Sequence, residues 1–291
     1  MIKPMRNQPA SWNLTEDYYR SIEEGYDALA PSYDQDIGSN PVGQRMHAVF
    51  REVLRAAFSG CQKVFEIGCG TGTDALWLAR SGLEVVATDI SQEMVGLVRE
   101  KARAEGLADR IQVAKLRACE IAWLAREHGR ESFDGGYCHA GALNMEPAIQ
   151  CVPAQIQQLL RRGGAFVCSV INKTSLFELL FYSLVLRPRK AFRRLGNVIP
   201  IPISRSPPLN QYVVPARFYS PSEVVSMFRP GFALEALQGL QIFLPPANLA
   251  DYYAAANPLF SPLEVLEAHL SKTPPLNAWG NHSIMTFRRT Q

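Results

Sequence analysis

A glycine-rich turn followed by an acidic residue carries the clearest chemical signal in this sequence. The segment Gly68–Gly72 has glycine at every second position and follows the apolar stretch Val64–Ile67. Glycine lets a ligand approach the backbone, because no Cβ is in the way and positive φ is allowed. Asp89 ends the next apolar stretch, where its carboxylate can accept hydrogen bonds from ribose hydroxyls. The turn and Asp89 together predict a site for a ligand that contains a ribose.

The spacing of the glycines argues against a nicotinamide dinucleotide as this ligand. A dinucleotide-binding turn has the pattern GxGxxG, and its third glycine would fall on Thr73 in this chain. We therefore expect a ribose-containing ligand of another kind.

Three histidines are candidates for a group that accepts a proton. His139 follows the fourth predicted strand, at the edge where open α/β sheets bind their ligands. We interpret it as a base or a substrate ligand. His47 and His282 are the other candidates, and the alternative for each of the three is a hydrogen-bonded structural role. Glu146 precedes a proline and is interpreted as a charge at a helix start.

Strands alternate with helices from Lys63 onward, which predicts a doubly wound parallel sheet. After the fifth strand the pattern predicts one helix over Leu176–Leu195, a proline-rich irregular stretch over Ile199–Pro215, and a helix that Ser220 caps. The predicted strands are Val64–Ile67, Leu83–Thr88, Ile111–Lys115, Phe133–Cys138, Ala165–Ile171, Phe232–Leu244 and Ser283–Arg289.

The same pattern predicts the domain organisation. Residues 1–62 form an N-terminal helical cap in this interpretation, and residues 63–291 form the α/β core. Insertions at 172–218 and 245–278 interrupt the core and are expected to form a lid over the substrate.

Several of these segments together resemble class I S-adenosylmethionine-dependent methyltransferases. Glu66–Gly72 and Ala87–Ser91 look like the first two motifs of that family. Tyr26–Asp34 is similar to an upstream pattern of bacterial small-molecule methyltransferases of the quinone and biotin-precursor type. The likeness covers about residues 20–290. It implies a seven-stranded Rossmann-like sheet with the last strand antiparallel, S-adenosylmethionine as the cofactor, and S-adenosylhomocysteine as the product.

The resemblance also implies a role for each part of the site. The glycine turn would face the methionine part of the cofactor, and Glu66 would hold the turn and orient the amino end. Asp89 would bind the ribose diol, while Ile90 and Met94 would flank the adenine. The backbone after the fourth strand would meet the ammonium group. The implied cofactor contacts are Tyr26, Tyr33, Glu66, Gly68, Cys69, Gly70, Gly72, Asp89, Ile90, Met94, Ala118, Cys119, Cys138 and His139.

One segment departs from the family pattern. Members of the family usually carry an aspartate soon after the third strand, where it accepts a hydrogen bond from the adenine amino group. Ala118 stands near that position in this chain. Glu120 or backbone groups then remain to contact the adenine edge. The stretch Ala118–Glu127 is itself predicted to be helical.

Methyl transfer from a sulfonium is an in-line displacement at carbon, and the cofactor carries the activation. The protein supplies alignment, and it supplies a base only for an acceptor such as a hydroxyl or an activated carbon. The implied acceptor is a small, hydrophobic molecule: a lipid, quinone, phenol or polyketide-like compound. No cluster of His, Asp and Glu has metal-ligand spacing, so we expect no metal. The sequence leaves the acceptor atom and the oligomeric state open.

The first insertion combines an apolar helix with a basic segment. Leu176–Leu186 is almost entirely apolar, and residues 179–222 contain seven Lys and Arg and no acidic residue. Three interpretations remain open: packing on the sheet with solvated arginines, a lid over a hydrophobic substrate, or contact of residues 176–205 with an anionic membrane surface.

The composition excludes several classes of protein. The chain of 291 residues is 47% hydrophobic and 20% charged, as in ordinary globular proteins and unlike disordered ones. A net charge of +3 is small for a dedicated nucleic-acid binder. The segment His139–Ala142 also lacks the Asn/Asp-Pro-Pro-aromatic motif of enzymes that methylate exocyclic base nitrogens. An RNA or protein methyltransferase and a non-catalytic binding module remain as alternatives.

The sequence also predicts where the protein works. It shows no apolar signal segment and no apolar stretch long enough to cross a bilayer. Its six cysteines have no paired spacing, which is typical of reduced thiols in the cytoplasm. We therefore expect a cytoplasmic protein, with peripheral contact to the inner face of a membrane as the further expectation for residues 176–205.

Overall fold

The computed structural model describes residues 16–38, 40–196, 198–204, 209–250, 253 and 257–290. Residues 1–15 of the predicted cap and Arg205 of the predicted membrane segment lie outside these ranges. Within them, no helix combines the length and the apolar character needed to span a bilayer.

A seven-stranded sheet forms the centre of the molecule. The strands of the described chain are β1 (Lys63–Ile67), β2 (Glu84–Asp89), β3 (Ile111–Lys115), β4 (Phe133–Cys138), β5 (Leu160–Ile171), β6 (Ile199–Pro202), β7 (Val213–Ala216), β8 (Phe232–Leu240) and β9 (His282–Arg289). The order in the large sheet is β3-β2-β1-β4-β5-β9-β8, and β9 runs antiparallel to both of its neighbours. The predicted doubly wound sheet with an antiparallel last strand is thereby confirmed.

Helices cover both faces of this sheet. They are α1 (Glu16–Leu29), α2 (Tyr33–Gly38), α3 (Pro41–Ala57), α4 (Thr73–Arg80), α5 (Gln92–Ala104), α6 (Ala125–His128), α7 (Val152–Leu159), α8 (Leu176–Leu184), α9 (Pro188–Ala191), α10 (Pro221–Phe228) and α11 (Asn257–Leu270). The predicted caps are present: the Ser91 side chain accepts from the Met94 N–H at 3.1 Å, and Ser220 forms a capping box with Glu223.

Each face of the sheet buries its own apolar cluster, because successive side chains of a strand point to opposite faces. On one face Phe65 of β1 stacks on Phe166 of β5, with ring centroids 6.2 Å apart. On the other face Val64 packs in the same cluster as Phe50 and Leu54 of α3. The two layers hold the carboxyl ends of β1, β2 and β4 at one edge.

β6 and β7 pair as a two-stranded antiparallel ladder, so the prediction of an irregular stretch over Ile199–Pro215 was wrong for the residues of these two strands. The sequence signal was weak because Pro200, Pro202 and Pro215 each lack a backbone N–H donor. A two-stranded ladder tolerates this loss, since no other described strand pairs with either of its outer edges. β7 packs against α1, where the Tyr18 hydroxyl donates to the Pro215 carbonyl at 3.2 Å.

Two predicted helices differ from the structure. The helix expected over Leu176–Leu195 is broken into α8, α9 and a 3₁₀ turn, because Pro188 cannot continue a helix and Leu186 adopts a positive φ of 53°. The stretch Ala118–Glu127 forms a 3₁₀ helix up to Leu124 and becomes α-helical only in α6.

Candidate functional site

A cavity opens at the carboxyl ends of β1, β2 and β4, and α1 and α2 contribute aromatic side chains to its wall. The predicted residues that line it are Tyr26, Tyr33, Gly68, Gly70, Asp89, Ile90, Ala118 and His139. Lining residues that the sequence reasoning did not assign to the site include Tyr19, Ile22, Leu116, Arg117, Met145 and Glu146. The amphipathic pattern of α1 was the signal available for Tyr19 and Ile22, since both lie one turn or more before Tyr26 on that helix.

The glycine turn is held tightly against the end of β2. The N–H groups of Gly68 and Cys69 donate to the Thr88 carbonyl at 2.8 and 2.9 Å. Gly68 has φ of 71°, and a Cβ there would lie 2.5 Å from the Cβ of Ala142. Only glycine therefore fits at this position without displacing the opposite wall of the cavity.

Asp89 connects the turn to the start of α5. Its Oδ2 accepts from the Gly70 N–H at 2.8 Å, and its Oδ1 accepts from the Ser91 N–H at 2.9 Å. Burial raises the pKa of Asp89, and these backbone hydrogen bonds oppose that effect. Because a carboxylate has about four acceptor positions, Asp89 retains acceptor capacity for a ligand such as a ribose diol.

Two tyrosines pack over the turn. The Tyr33 ring lies 3.6 Å from the position that a Cβ of Gly70 would occupy. The Tyr26 hydroxyl contacts the Met145 sulfur at 3.2 Å. Burial raises the pKa of both tyrosines, so each keeps its proton near neutral pH. Both tyrosines line the cavity, and their direct contact with a cofactor stays a prediction.

Glu146 organises the wall next to Ala118. Its Oε2 accepts from the Cys119 N–H at 3.2 Å, and its Oε1 accepts from the Tyr19 hydroxyl at 2.6 Å. Glu146 is buried and lines the cavity, whereas Glu120 bonds to the Arg117 N–H at its own turn and does not line it. The carboxylate at this wall therefore comes from Glu146 and not from Glu120.

His139 is held by a buried network. Its Nδ1 lies 2.8 Å from Asp74 Oδ2, its ring stacks on Phe50 with centroids 3.9 Å apart, and its Nε2 has no partner among the described residues. Asp74 also contacts His47 Nδ1 at 3.0 Å and Arg51 Nε at 2.8 Å. Burial lowers the pKa of His139 although Asp74 opposes this, so its imidazole is neutral near pH 7.

Burial and hydrogen bonding act in opposite directions on Asp74. Burial alone would raise its pKa, but hydrogen bonds from His139 and His47 outweigh burial and hold it below the usual range. Asp74 therefore stays ionised and fixes the ring orientation of His139.

The fold brings His47, Asp74 and His139 together, although their spacing in the sequence did not indicate a metal site. One potential ligand atom from each lies within 4.8 Å of the others. Both histidines direct Nδ1 at Asp74, and the Arg51 guanidinium donates to the same carboxylate at 2.8 Å. A metal ion bound to Asp74 would sit beside this cation. The arrangement is that of a hydrogen-bonded ion-pair network.

Six predicted cofactor contacts do not line the cavity: Glu66, Cys69, Gly72, Met94, Cys119 and Cys138. Gly72 lies against α5, since a Cβ there would come 2.9 Å from Val98. Met94 is fully buried in the core, and burial raises the pKa of the Glu66 carboxyl well above its usual value. Direct contact of these six residues with a cofactor stays a prediction.

Residues 64–164 match the family described as "Methyltransferase domain". This stretch of the chain therefore contains a methyltransferase domain. Its relatives include Methyltransferase GfsG from Streptomyces halstedii, 31% identical over 123 residues, which are 42% of this chain and 41% of that protein. Ubiquinone biosynthesis O-methyltransferase from Xanthomonas oryzae is 30% identical over 169 residues, which are 57% of this chain and 66% of that protein. The chain thus spans less than two thirds of these relatives.

The fold of the methyltransferase domain also occurs in solved structures. One is the 1,6-didemethyltoxoflavin-N1-methyltransferase of Burkholderia thailandensis with its substrate and S-adenosylhomocysteine bound. The TM-score is 0.56 at 16% identity, covering 98% of this chain and 93% of that one. The residues at the cavity fit S-adenosylmethionine as a cofactor. Gly68 leaves room where a Cβ would meet Ala142, and Asp89 keeps acceptor capacity beyond its backbone hydrogen bonds.

Proposed function

We propose that this protein transfers a methyl group from S-adenosylmethionine to a small, hydrophobic acceptor. The observation that carries the proposal is the cavity itself, which joins the glycine turn and Asp89 to His139 at the carboxyl edge of the sheet. Apolar side chains of Ile22, Ile90 and Met145 line the same cavity, which suits a hydrophobic molecule. Lipids, quinones, phenols and polyketide-like compounds have this chemistry.

The relatives support this class of acceptor. One is named for ubiquinone biosynthesis, and another is named demethylmenaquinone methyltransferase. Both names point to quinones, which are hydrophobic aromatic molecules.

In the proposed reaction, S-adenosylmethionine supplies an electrophilic methyl group on its sulfonium. Asp89 would hold the ribose of the bound cofactor, and the glycine turn would hold its methionine portion. His139 acts as the base or as a ligand of the acceptor. With Nδ1–H donating to Asp74, the unpartnered Nε2 carries a lone pair that can accept a proton from an acceptor hydroxyl. Tyr26 and Tyr33 exclude water from the same space.

Calorimetric titration with S-adenosylmethionine and S-adenosylhomocysteine tests the cofactor site. We expect binding that Asp89→Ala weakens by at least about tenfold, because hydrogen bonds to a charged acceptor contribute roughly 1.5–3 kcal/mol each. Asp109→Ala is the matched control, since it removes an exposed carboxylate outside the cavity. Absence of binding by the folded wild-type protein would refute the proposal.

Transfer of a labelled methyl group tests the reaction. Purified protein is incubated with methyl-labelled S-adenosylmethionine and with separate quinone, phenol and lipid pools, and with tRNA and protein as alternative acceptors. Label in a hydrophobic pool that His139→Ala reduces would support the proposal. Label in tRNA or protein alone would favour a macromolecular substrate. Cofactor binding without transfer to any acceptor would favour a non-catalytic binding module.

A further inference from the structure

An apolar surface at the turn between α8 and α9 is exposed to solvent. Leu184, Leu186 and Leu195 are 83%, 87% and 67% exposed. Leu180, Val185 and Phe192 on the same 16-residue segment are exposed as well. Single exposed apolar residues are ordinary, but six of them within 16 consecutive residues indicate an interaction surface. We call residues 180–195 the apolar tip.

The apolar tip is anchored by a buried ion pair. Glu178 is fully buried, and Arg194 donates to both of its oxygens at 2.8 and 2.9 Å. Arg193 donates to the same carboxylate at 2.9 Å, and Arg194 also donates to the Asn172 carbonyl after β5 at 2.8 Å. These bonds join both ends of the segment to the sheet. The exposure of the leucines is therefore a property of the folded structure.

The apolar tip also carries positively charged side chains. Arg187, Arg189 and Lys190 are exposed, and the described residues form no ion pair with them. Lys190 lies over the Tyr182 ring, 5.7 Å from its centroid. Residues 179–222 contain no Asp or Glu that could neutralise these cations. The exposed leucines match the acyl boundary of an anionic bilayer surface, and the neighbouring cations that form no ion pair match its phosphate headgroups.

We propose that the apolar tip binds an anionic lipid surface. Leu184 and Leu186 enter the boundary between headgroups and acyl chains, and Arg187, Arg189 and Lys190 contact lipid phosphates. α8 follows the carboxyl end of β5, which is the edge of the sheet where the cavity opens. Lipid binding would therefore bring this edge toward the membrane. The proposal does not depend on methyl transfer.

Vesicle co-sedimentation of the full chain tests the proposal. One set of vesicles is phosphatidylcholine alone, and the other contains equal parts of phosphatidylcholine and phosphatidylglycerol. We expect the wild type to sediment with the anionic vesicles, and less so as salt is raised. Arg189→Gln with Lys190→Gln should weaken this binding roughly 30-fold, given the usual contribution of a cation near an anionic surface. Leu184→Ser with Leu186→Asn should abolish it, and Asn is chosen because it tolerates the positive φ of Leu186.

Matched controls separate a specific surface from general charge and apolarity. Arg103→Gln with Arg130→Gln changes the net charge equally on exposed residues of other segments. Leu234→Ser removes an exposed leucine near the start of β8, at the opposite edge of the sheet. Both controls should bind as the wild type does.

Three results would overturn the proposal. The first is no sedimentation of the wild type with anionic vesicles. The second is equal weakening by the tip variants and the controls. The third is a wild-type oligomer in sedimentation velocity that the leucine variants convert to monomer, because a second copy would then cover the apolar tip. Cooperative unfolding of each variant in urea checks that it is folded.

Discussion

Comparing Gly68→Ala with Gly106→Ala separates two reasons for a glycine at position 68 of the glycine turn. Gly68 has φ of 71°, and its Cβ would lie 2.5 Å from the Cβ of Ala142. Gly106 has a similar φ of 68°, but nothing lies within 4 Å of its Cβ position. Gly106→Ala therefore reports the conformational cost alone, and Gly68→Ala reports that cost together with the clash.

The two costs can be worked out from these geometries. A left-handed φ costs an L-residue about 1–2 kcal/mol, and overpacking in a rigid place adds about 1–3 kcal/mol. We expect Gly106→Ala to lower the free energy of unfolding by about 1–2 kcal/mol, and Gly68→Ala to lower it by about 2–5 kcal/mol. Ala142→Gly removes the opposing methyl group. The double variant should therefore recover about 1–3 kcal/mol relative to the sum of the single variants.

Urea unfolding of the four proteins in this cycle, with Gly106→Ala as the fifth, measures these differences. Calorimetric titration with S-adenosylmethionine follows the site itself. Binding should weaken in Gly68→Ala, return in part in the double variant, and stay unchanged in Gly106→Ala. Additivity of Gly68→Ala and Ala142→Gly within about 0.5 kcal/mol would refute the steric argument. So would equal destabilisation by Gly68→Ala and Gly106→Ala.

Two further predictions concern side chains that the fold brings to the site or near it. Tyr19→Phe removes the hydroxyl that donates to Glu146 at 2.6 Å. In urea unfolding it should lower the free energy of unfolding by about 1–3 kcal/mol, and it should also weaken S-adenosylmethionine binding. An unchanged cofactor affinity would show that the role of Glu146 at the site does not depend on Tyr19. Burial lowers the pKa of His282 from 6.5 to about 3, so the unfolded chain binds the extra proton and stability is lost as the pH falls from about 6.5 toward 3. His282→Gln should reduce the slope of unfolding free energy against pH between those limits by up to about 1.4 kcal/mol per pH unit, and an unchanged slope in urea titrations would contradict this.

The sequence by itself determined the central sheet and one end of the site. Apolar stretches alternate with helical patterns, and parallel strands with right-handed crossovers bring Gly68–Gly72 and Asp89 to the same edge. Both signals are local, because a glycine turn, a strand end and the Ser91 cap each depend on a few consecutive residues. These local features could therefore be predicted without knowing which distant residues pack against them.

The tertiary structure alone decided which side chains complete the site. Glu146 meets Tyr19 across 127 residues, and Asp74 meets His139 across 65 residues. The sequence analysis interpreted Glu146 as a charge at a helix start, and it had no reason to pair Asp74 with His139. The physical reason is that a buried carboxylate needs hydrogen-bond donors close to it in space to offset its desolvation. The spacing of residues along the sequence does not show which donors those are.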